Sequence, residues 1–276
     1  MQDFARICER TRSPVVGGLF YPEAREETEA CLASYRMEQG NGGALAILAP
    51  HGCWDISGAI AGEAFAAAGT ERNISRVVVL GPIHKNTEDG LFLTDSDCFL
   101  TPLGGIRVDG EIRDELASCS TRFEINDIPH LTEHSIEVLL PFIKYRFPGA
   151  SIVPILMGGT RPSLISALGL SLRLVLEPIL RECLIVISCN FAMDKDSNRA
   201  FRQAEDCIRL LLEKNAGDFG RGLRDGMISA CGGGLIAGFL ESGIASDLKA
   251  EVVSRPVEKS KDEKDRIVYY GALSYG

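Results

Sequence analysis

Apolar positions along the chain fall into short runs separated by longer amphipathic stretches. Seven runs read as strands: Ala44–Ala49, Val77–Gly81, Leu91–Thr94, Ser151–Met157, Leu184–Ser188, Ala250–Val253 and Ile267–Leu273. Eight stretches read as helices: Glu23–Arg36, Ala59–Ala68, Gly110–Ala117, Ser135–Tyr145, Pro162–Leu180, Asn198–Lys214, Phe219–Ile228 and Gly234–Glu241. The runs ALAILA, VVVLG, IVPIL and LIVIS are apolar throughout instead of alternating. Strands of that kind are covered on both faces. The pattern therefore predicts an α/β fold, a mostly buried central sheet flanked by helices in three layers. No Pro/Gly/Ser-rich linker and no repeat divides the chain, so residues 1–276 read as one domain. Gly40 to Gly43 reads as a turn before the first core strand.

Composition narrows the classes. The 276 residues are 45% apolar and 24% charged, as in an ordinary globular protein. A chain of this length buries roughly 75% of its unfolded surface and needs no disulfide to stay folded. The net charge of −9 argues against nucleic acid or an anionic membrane as partner. The densest charge run, Glu258–Arg266, mixes both signs and reads as a solvated loop. The N-terminal stretch is charged and lacks an apolar h-region, so no signal peptide is expected. No apolar run reaches the roughly 18 residues of a membrane helix. These features predict a cytoplasmic protein. Nine cysteines are scattered without CxxC or paired zinc spacing. In that compartment most are small buried hydrophobes, and Cys183 and Cys189 read that way.

Candidate chemistry lies at strand ends. Open α/β sheets bind ligands outside the carboxyl ends of their strands. His51 follows the first core strand in Pro50-His51-Gly52, and His84 follows the second in Gly81-Pro82-Ile83-His84. Asn190 follows the strand that ends in Ser188. Either histidine alone reads as a satisfied loop residue. Two in one context point to metal ligation, because neutral imidazole is the commonest protein metal ligand. Cys231 opens the glycine triplet Gly232–Gly234 and is the best third donor. The alternative is a helix-terminal cysteine before a Gly-rich turn. His134 and Glu137 stand three apart and share one face if a helix begins at Thr132 or Glu133. That spacing fits a ligand pair, an orienting pair or a plain surface pair. His130 reads as a loop histidine. No G-x-G-x-x-G order follows a strand and no G-x-S-x-G elbow occurs, so dinucleotide and α/β-hydrolase chemistry find no support.

In this order the motifs resemble the MEMO family, also called AmmeMemoRadiSam system protein B. Val16 to Pro22 resembles AGxFYP, and Pro50 to Gly58, with Cys53 and Trp54, resembles PHAGYxxSG. Gly81 to His84 resembles GPxH, Thr101 to Gly104 resembles TPLG, and Glu133 to Phe142 resembles EHSxExxLPF. The family is similar in fold to class III extradiol (LigB-type) dioxygenases, single-domain proteins with a non-haem iron at the strand ends. The resemblance implies His51, His84 and Cys231 as metal ligands. It implies iron or copper as cofactor, with zinc also suited to the donors. It places His134, Glu137, Asn190, Met193, Cys53 and Trp54 at the pocket or behind the ligands. It implies redox or oxygenase-related activity on a small molecule or peptide in the metal crevice. A radical-SAM protein and an AMMECR-type protein are the implied partners.

The chain departs from the family pattern S-S-D-F-x-H, reading Ser188-Cys189-Asn190-Phe191-Ala192-Met193. Asn190 replaces an aspartate and Met193 replaces the histidine similar to the dioxygenase acid/base. Methionine exchanges no proton, and general acid–base help is worth roughly 10²–10⁴ in rate. These two replacements leave both an enzymatic and a non-catalytic reading standing. The rival readings are a non-catalytic peptide- or protein-binding module and a thiol-dependent enzyme with Cys231 as nucleophile.

Overall fold

The computed structural model describes residues 8–37, 42–69, 72–85, 89–261 and 265–276. The N-terminal heptapeptide, part of the Gly40–Gly43 turn and part of the Glu258–Arg266 charge run lie outside them. The described strands are β1 (Thr11–Arg12), β2 (Ala46–Ala49), β3 (Arg76–Pro82), β4 (Gly90–Leu93), β5 (Cys98–Phe99) and β6 (Ile106–Arg107). They continue with β7 (Phe123–Ile125), β8 (Ser151–Gly158), β9 (Cys183–Ser188), β10 (Ala192–Asp194), β11 (Ala250–Lys261) and β12 (Ile267–Tyr275).

The main sheet runs β10-β12-β2-β9-β3-β8-β4-β7, with β11 also paired to β12. Its centre, β2-β9-β3-β8, is parallel. β12 and β4 join antiparallel on either side, so the sheet is mixed. The four wholly apolar runs are these four central strands. Successive side chains of a strand point to opposite faces. Val78, Leu80, Ile185 and Ile187 accordingly pack on one side, and Val77, Val79, Leu184 and Val186 on the other. Helices Pro162–Leu176, Ser197–Glu213 and Gly233–Glu241 cover the first face. Helices Arg25–Ser34, Trp54–Ala67 and Leu140–Arg146 cover the second. This is the three-layer α/β arrangement that the pattern predicts.

Three differences matter. First, β1, β5, β6, β7 and β10 were not legible, because two or three residues carry no period. Second, the helix predicted over Ser135–Tyr145 is shorter. A helix at Ile128–Thr132 stops, Glu133 is extended, and helical turns resume only at Glu137. Third, Cys8 and Cys98 are joined in a disulfide, although no cysteine spacing signalled one. The parallel pairing of Thr11–Arg12 with Cys98–Phe99 brings them together.

Helix Pro162–Leu176 and the turn that extends it to Glu182 form the one described segment long and apolar enough to cross a membrane. Leu164, Ile165, Leu168 and Leu172 bury one face of it. Gly169 brings it against helix Gly233–Glu241, where a Cβ would lie 2.8 Å from the Gly238 carbonyl oxygen. It is a core helix of the domain.

Candidate metal centre

β2, β9 and β3 are adjacent and parallel, so their C-terminal ends open on one edge of the sheet. His51 follows β2, Asn190 follows β9 and His84 follows β3. Cys231 reaches this edge from the loop before helix Gly233–Glu241. Its amide donates to the Asn190 carbonyl at 3.2 Å, and the Asn190 amide donates to the Cys231 sulfur at 2.9 Å. Glycine at 232 permits this approach. A Cβ there would sit 2.7 Å from the Ser188 carbonyl oxygen and 3.2 Å from Cys189 Cβ.

His51 is buried, and its Nδ1 lies 2.7 Å from the Ser188 hydroxyl. That hydroxyl spends its proton on the Ser135 carbonyl at 2.7 Å. It therefore accepts from His51, and the proton of the neutral ring sits on Nδ1. Nε2 is left facing Cys231 Sγ at 3.2 Å. His84 is held in the same way. Its Nδ1 lies 2.9 Å from Glu133 Oε1, and its amide donates to Glu133 Oε2 at 2.6 Å. The ligand atoms of His51, His84 and Cys231 all lie within 4.8 Å of one another.

His84, Glu133 and His134 form a second group with the same mutual spacing. His134 Nδ1 is 3.2 Å from Glu133 Oε1. The His134 ring stacks on His84 at 4.9 Å between centroids and stands 6.0 Å from His51. Phe20 packs edge-on against it at 4.9 Å.

The electrostatics favour a charged cluster. Burial pushes the Cys231 thiol up, but a hydrogen bond from Cys189 and, where the rings carry a second proton, the charge and hydrogen bond of His51 and the hydrogen bond of His84 hold it well below the usual thiol range. Burial opposes charge on His84 too, yet its bonds to Cys231 and Glu133 raise it to about 10. Glu133 falls to about 2 because bonds from His84 and the nearby imidazoles outweigh its burial. His134 falls to about 4 through burial, helped by its histidine neighbours, so it is neutral near pH 7.

The remaining residues singled out in the sequence lie as follows. Asn190 supports the centre, its Oδ1 accepting from the His51 amide at 3.2 Å. Met193 is half-buried on β10, its amide bonded to the Ser229 hydroxyl at 3.0 Å. Cys53 precedes helix Trp54–Ala67 and belongs to neither donor group. Trp54 packs with Tyr21, Tyr35 and Phe142 and donates to the Val138 carbonyl at 3.0 Å. His130 is buried against the Phe92 carbonyl at 3.1 Å. Glu137 turns away from His134. It forms a buried ion pair with Arg12 and accepts from the Val15 and Val16 amides and the Tyr21 hydroxyl.

The partner of His134 is thus Glu133, which sequence reasoning passed over. Helical spacing selects Glu137, but the segment is not helical at His134. The Glu133 carboxylate accepts from the amides of His134 and Ser135 and so replaces the bonds a helix would supply. Ser188 was also missed, because a serine ending an apolar strand carries no signal of its own.

A family model described as "Memo-like protein" matches residues 12–274. The chain belongs to the Memo-like family. It is 26% identical to a MEMO1 family protein of Nitrosopumilus maritimus, over 96% of this chain and 99% of that protein. It is 27% identical to a MEMO1 family protein of Thermotoga neapolitana, over 85% and 89% of the two chains. Among solved structures, an uncharacterized Escherichia coli K12 protein superposes with a TM-score of 0.50 at 10% identity, covering 84% of this chain and 99% of that one. At that identity the likeness concerns the fold alone.

Proposed function

We propose that this Memo-like protein binds one transition-metal ion through His51 Nε2, His84 Nε2 and Cys231 Sγ, and uses it in redox or oxygenase-related chemistry on a small molecule. One observation carries the reading. Three donors from three separate segments lie within 4.8 Å of one another, and each histidine's Nδ1 is already bonded away from the centre. Metal-ligating histidines are oriented in this way by a carboxylate or hydroxyl on the other nitrogen.

The donor set fits the group. A thiolate with two imidazoles suits iron, copper or zinc better than magnesium or calcium. Three protein ligands leave a position open for water or a small molecule. When bound, such an ion supplies Lewis-acid or electron-transfer chemistry. The chain's own residues do the rest. Ser188 and Glu133 fix the two ring orientations. Glu133 adds a negative charge behind His84. His134, neutral near pH 7, offers Nε2 as a proton acceptor beside His84 and takes up the work that Met193 cannot do. The cytoplasm is the proposed compartment.

Metal analysis of untagged protein tests the reading. Wild type is expected to retain close to one ion per chain and a His51→Ala/His84→Ala variant to lose it. Equal, negligible metal in both rejects it.

The methionine at 193 favours a second reading, a binding module that holds a peptide or partner in the same crevice without turnover. A radical-SAM protein and an AMMECR-type protein are the partners to try. Capture of either by wild type and by His84→Ala alike supports the module.

A further inference from the structure

We infer that Cys189 and Cys231 form a redox-active dithiol, in which an oxidant reaches Cys231 and Cys189 resolves the product as a disulfide. The two thiols come from distant segments and meet at one backbone group. Cys189 Sγ lies 3.3 Å from the Asn190 carbonyl oxygen, and Cys231 Sγ lies 3.7 Å from the same atom. The Asn190 amide also donates to the Cys231 sulfur at 2.9 Å, so the one residue that follows Cys189 touches both thiols. Close backbone approach makes this meeting possible: a Cβ on Gly232, next to Cys231, would come within 3.2 Å of Cys189 Cβ.

Exposure divides the roles. Cys189 is fully buried, whereas Cys231 is half-buried and its sulfur faces His51 Nε2 at the C-terminal edge of the sheet. A small oxidant entering from solvent therefore meets Cys231 first and finds Cys189 directly behind it. Cys207 is also buried, and burial together with the charge of Cys231 pushes its thiol up, but no hydrogen bond joins it to Cys231 among the described residues.

With hydrogen peroxide as oxidant the step balances. The Cys231 thiolate attacks one peroxide oxygen. An S–O bond forms, the O–O bond breaks, and the departing hydroxide takes a proton to become water. The Cys189 sulfur then attacks the sulfenic sulfur of Cys231. The S–S bond forms, the S–O bond breaks, and the hydroxyl leaves as water with the Cys189 proton. Two thiols lose two electrons, and one peroxide becomes two waters. A dithiol reductant reverses the bridge. If the metal reading above holds, the bridge also withdraws the sulfur ligand, so oxidation releases the ion.

The test is made on the full chain, reduced, desalted into chelator and treated briefly with hydrogen peroxide. The protein is then unfolded, alkylated with iodoacetamide, digested and analysed by mass spectrometry. Cys189 and Cys231 are expected to lose alkylation in parallel and to appear as one cross-linked peptide, restored by dithiothreitol. In Cys189→Ser the cross-link disappears and Cys231 is recovered as sulfinic acid. If wild-type Cys189 stays fully alkylated while Cys231 is oxidised, or if Cys231 links to Cys53 or Cys207 instead, the inference is overturned. Chelator keeps metal out of this readout, so a negative result rejects the dithiol and leaves the metal reading to its own assay.

Discussion

The Ser188 hydroxyl accepts a 2.7 Å hydrogen bond from His51 Nδ1 while giving its own proton to the Ser135 carbonyl. One side chain thereby fixes both the orientation and the tautomer of a buried imidazole. The last residue of a core strand thus sets the chemistry of the loop beyond its neighbour, since Ser188 pairs in register with Ala49.

Removing that hydroxyl separates orientation from ligation. Ser188→Ala is expected to weaken metal binding by roughly 10–100-fold, as for other residues that orient a ligating histidine. A competition titration with a chromophoric chelator measures it. Unchanged affinity means that Ser188 does not control the ring.

Metal affinity is expected to rise with pH. His84 is raised to about 10 in the metal-free chain, so its ring is protonated near neutrality and must lose that proton to ligate. The depressed Cys231 thiol has little proton left to give. Roughly one proton is released per ion, which corresponds to about tenfold in affinity per pH unit. Calorimetry in buffers of different ionisation enthalpy counts the proton, and a flat pH profile contradicts this assignment.

His130 makes the fold acid-sensitive. Burial lowers it to about 4 from an unperturbed 6.5, so the folded chain holds it neutral while the unfolded chain takes up a proton. Its part of the stability is complete above pH 6.5 and is lost as the pH falls through about 4. Thermal melts across that range are expected to fall, and to fall less steeply in His130→Asn. Parallel curves for the two proteins speak against it.

The pair Arg12–Glu137 is buried on both sides and ties the N-terminal segment to the wall behind the centre. Arg12 also donates to the carbonyls of His130 and Glu133, at 3.0 and 2.9 Å. Glu137→Gln leaves an uncompensated buried guanidinium, with an expected loss of about 3–5 kcal/mol in denaturant unfolding. A loss under about 1 kcal/mol is what a solvent-screened pair would give.

Gly232→Ala tests the close approach of the cysteine loop. The added methyl meets the Ser188 carbonyl oxygen at 2.7 Å, so the loop must shift. About 1–3 kcal/mol of stability is expected to be lost, the usual cost of overpacking. Metal content should drop with it. Full metal retention would show that Cys231 tolerates displacement.

The layered fold was legible because four uninterrupted apolar runs admit only a sheet covered on both sides. His51, His84 and Asn190 were legible because turn-forming neighbours placed them at strand ends. Cys231 stood out through its glycine triplet. Those inferences need only local pattern and the handedness of α/β connections. The partners of these residues were not legible. Glu133 replaced Glu137 beside His134 because a carboxylate capped the backbone and ended the helix, which side-chain spacing does not reveal. Ser188 and Cys189 gained their roles only when β9 was inserted between β2 and β3, a pairing set by contacts far apart in the chain. The amino-acid order alone determined which residues reach the edge of the sheet. The packed structure decided which atoms face one another there, because hydrogen-bond partners and sulfur neighbours depend on distances of a few ångströms between segments that no sequence pattern measures.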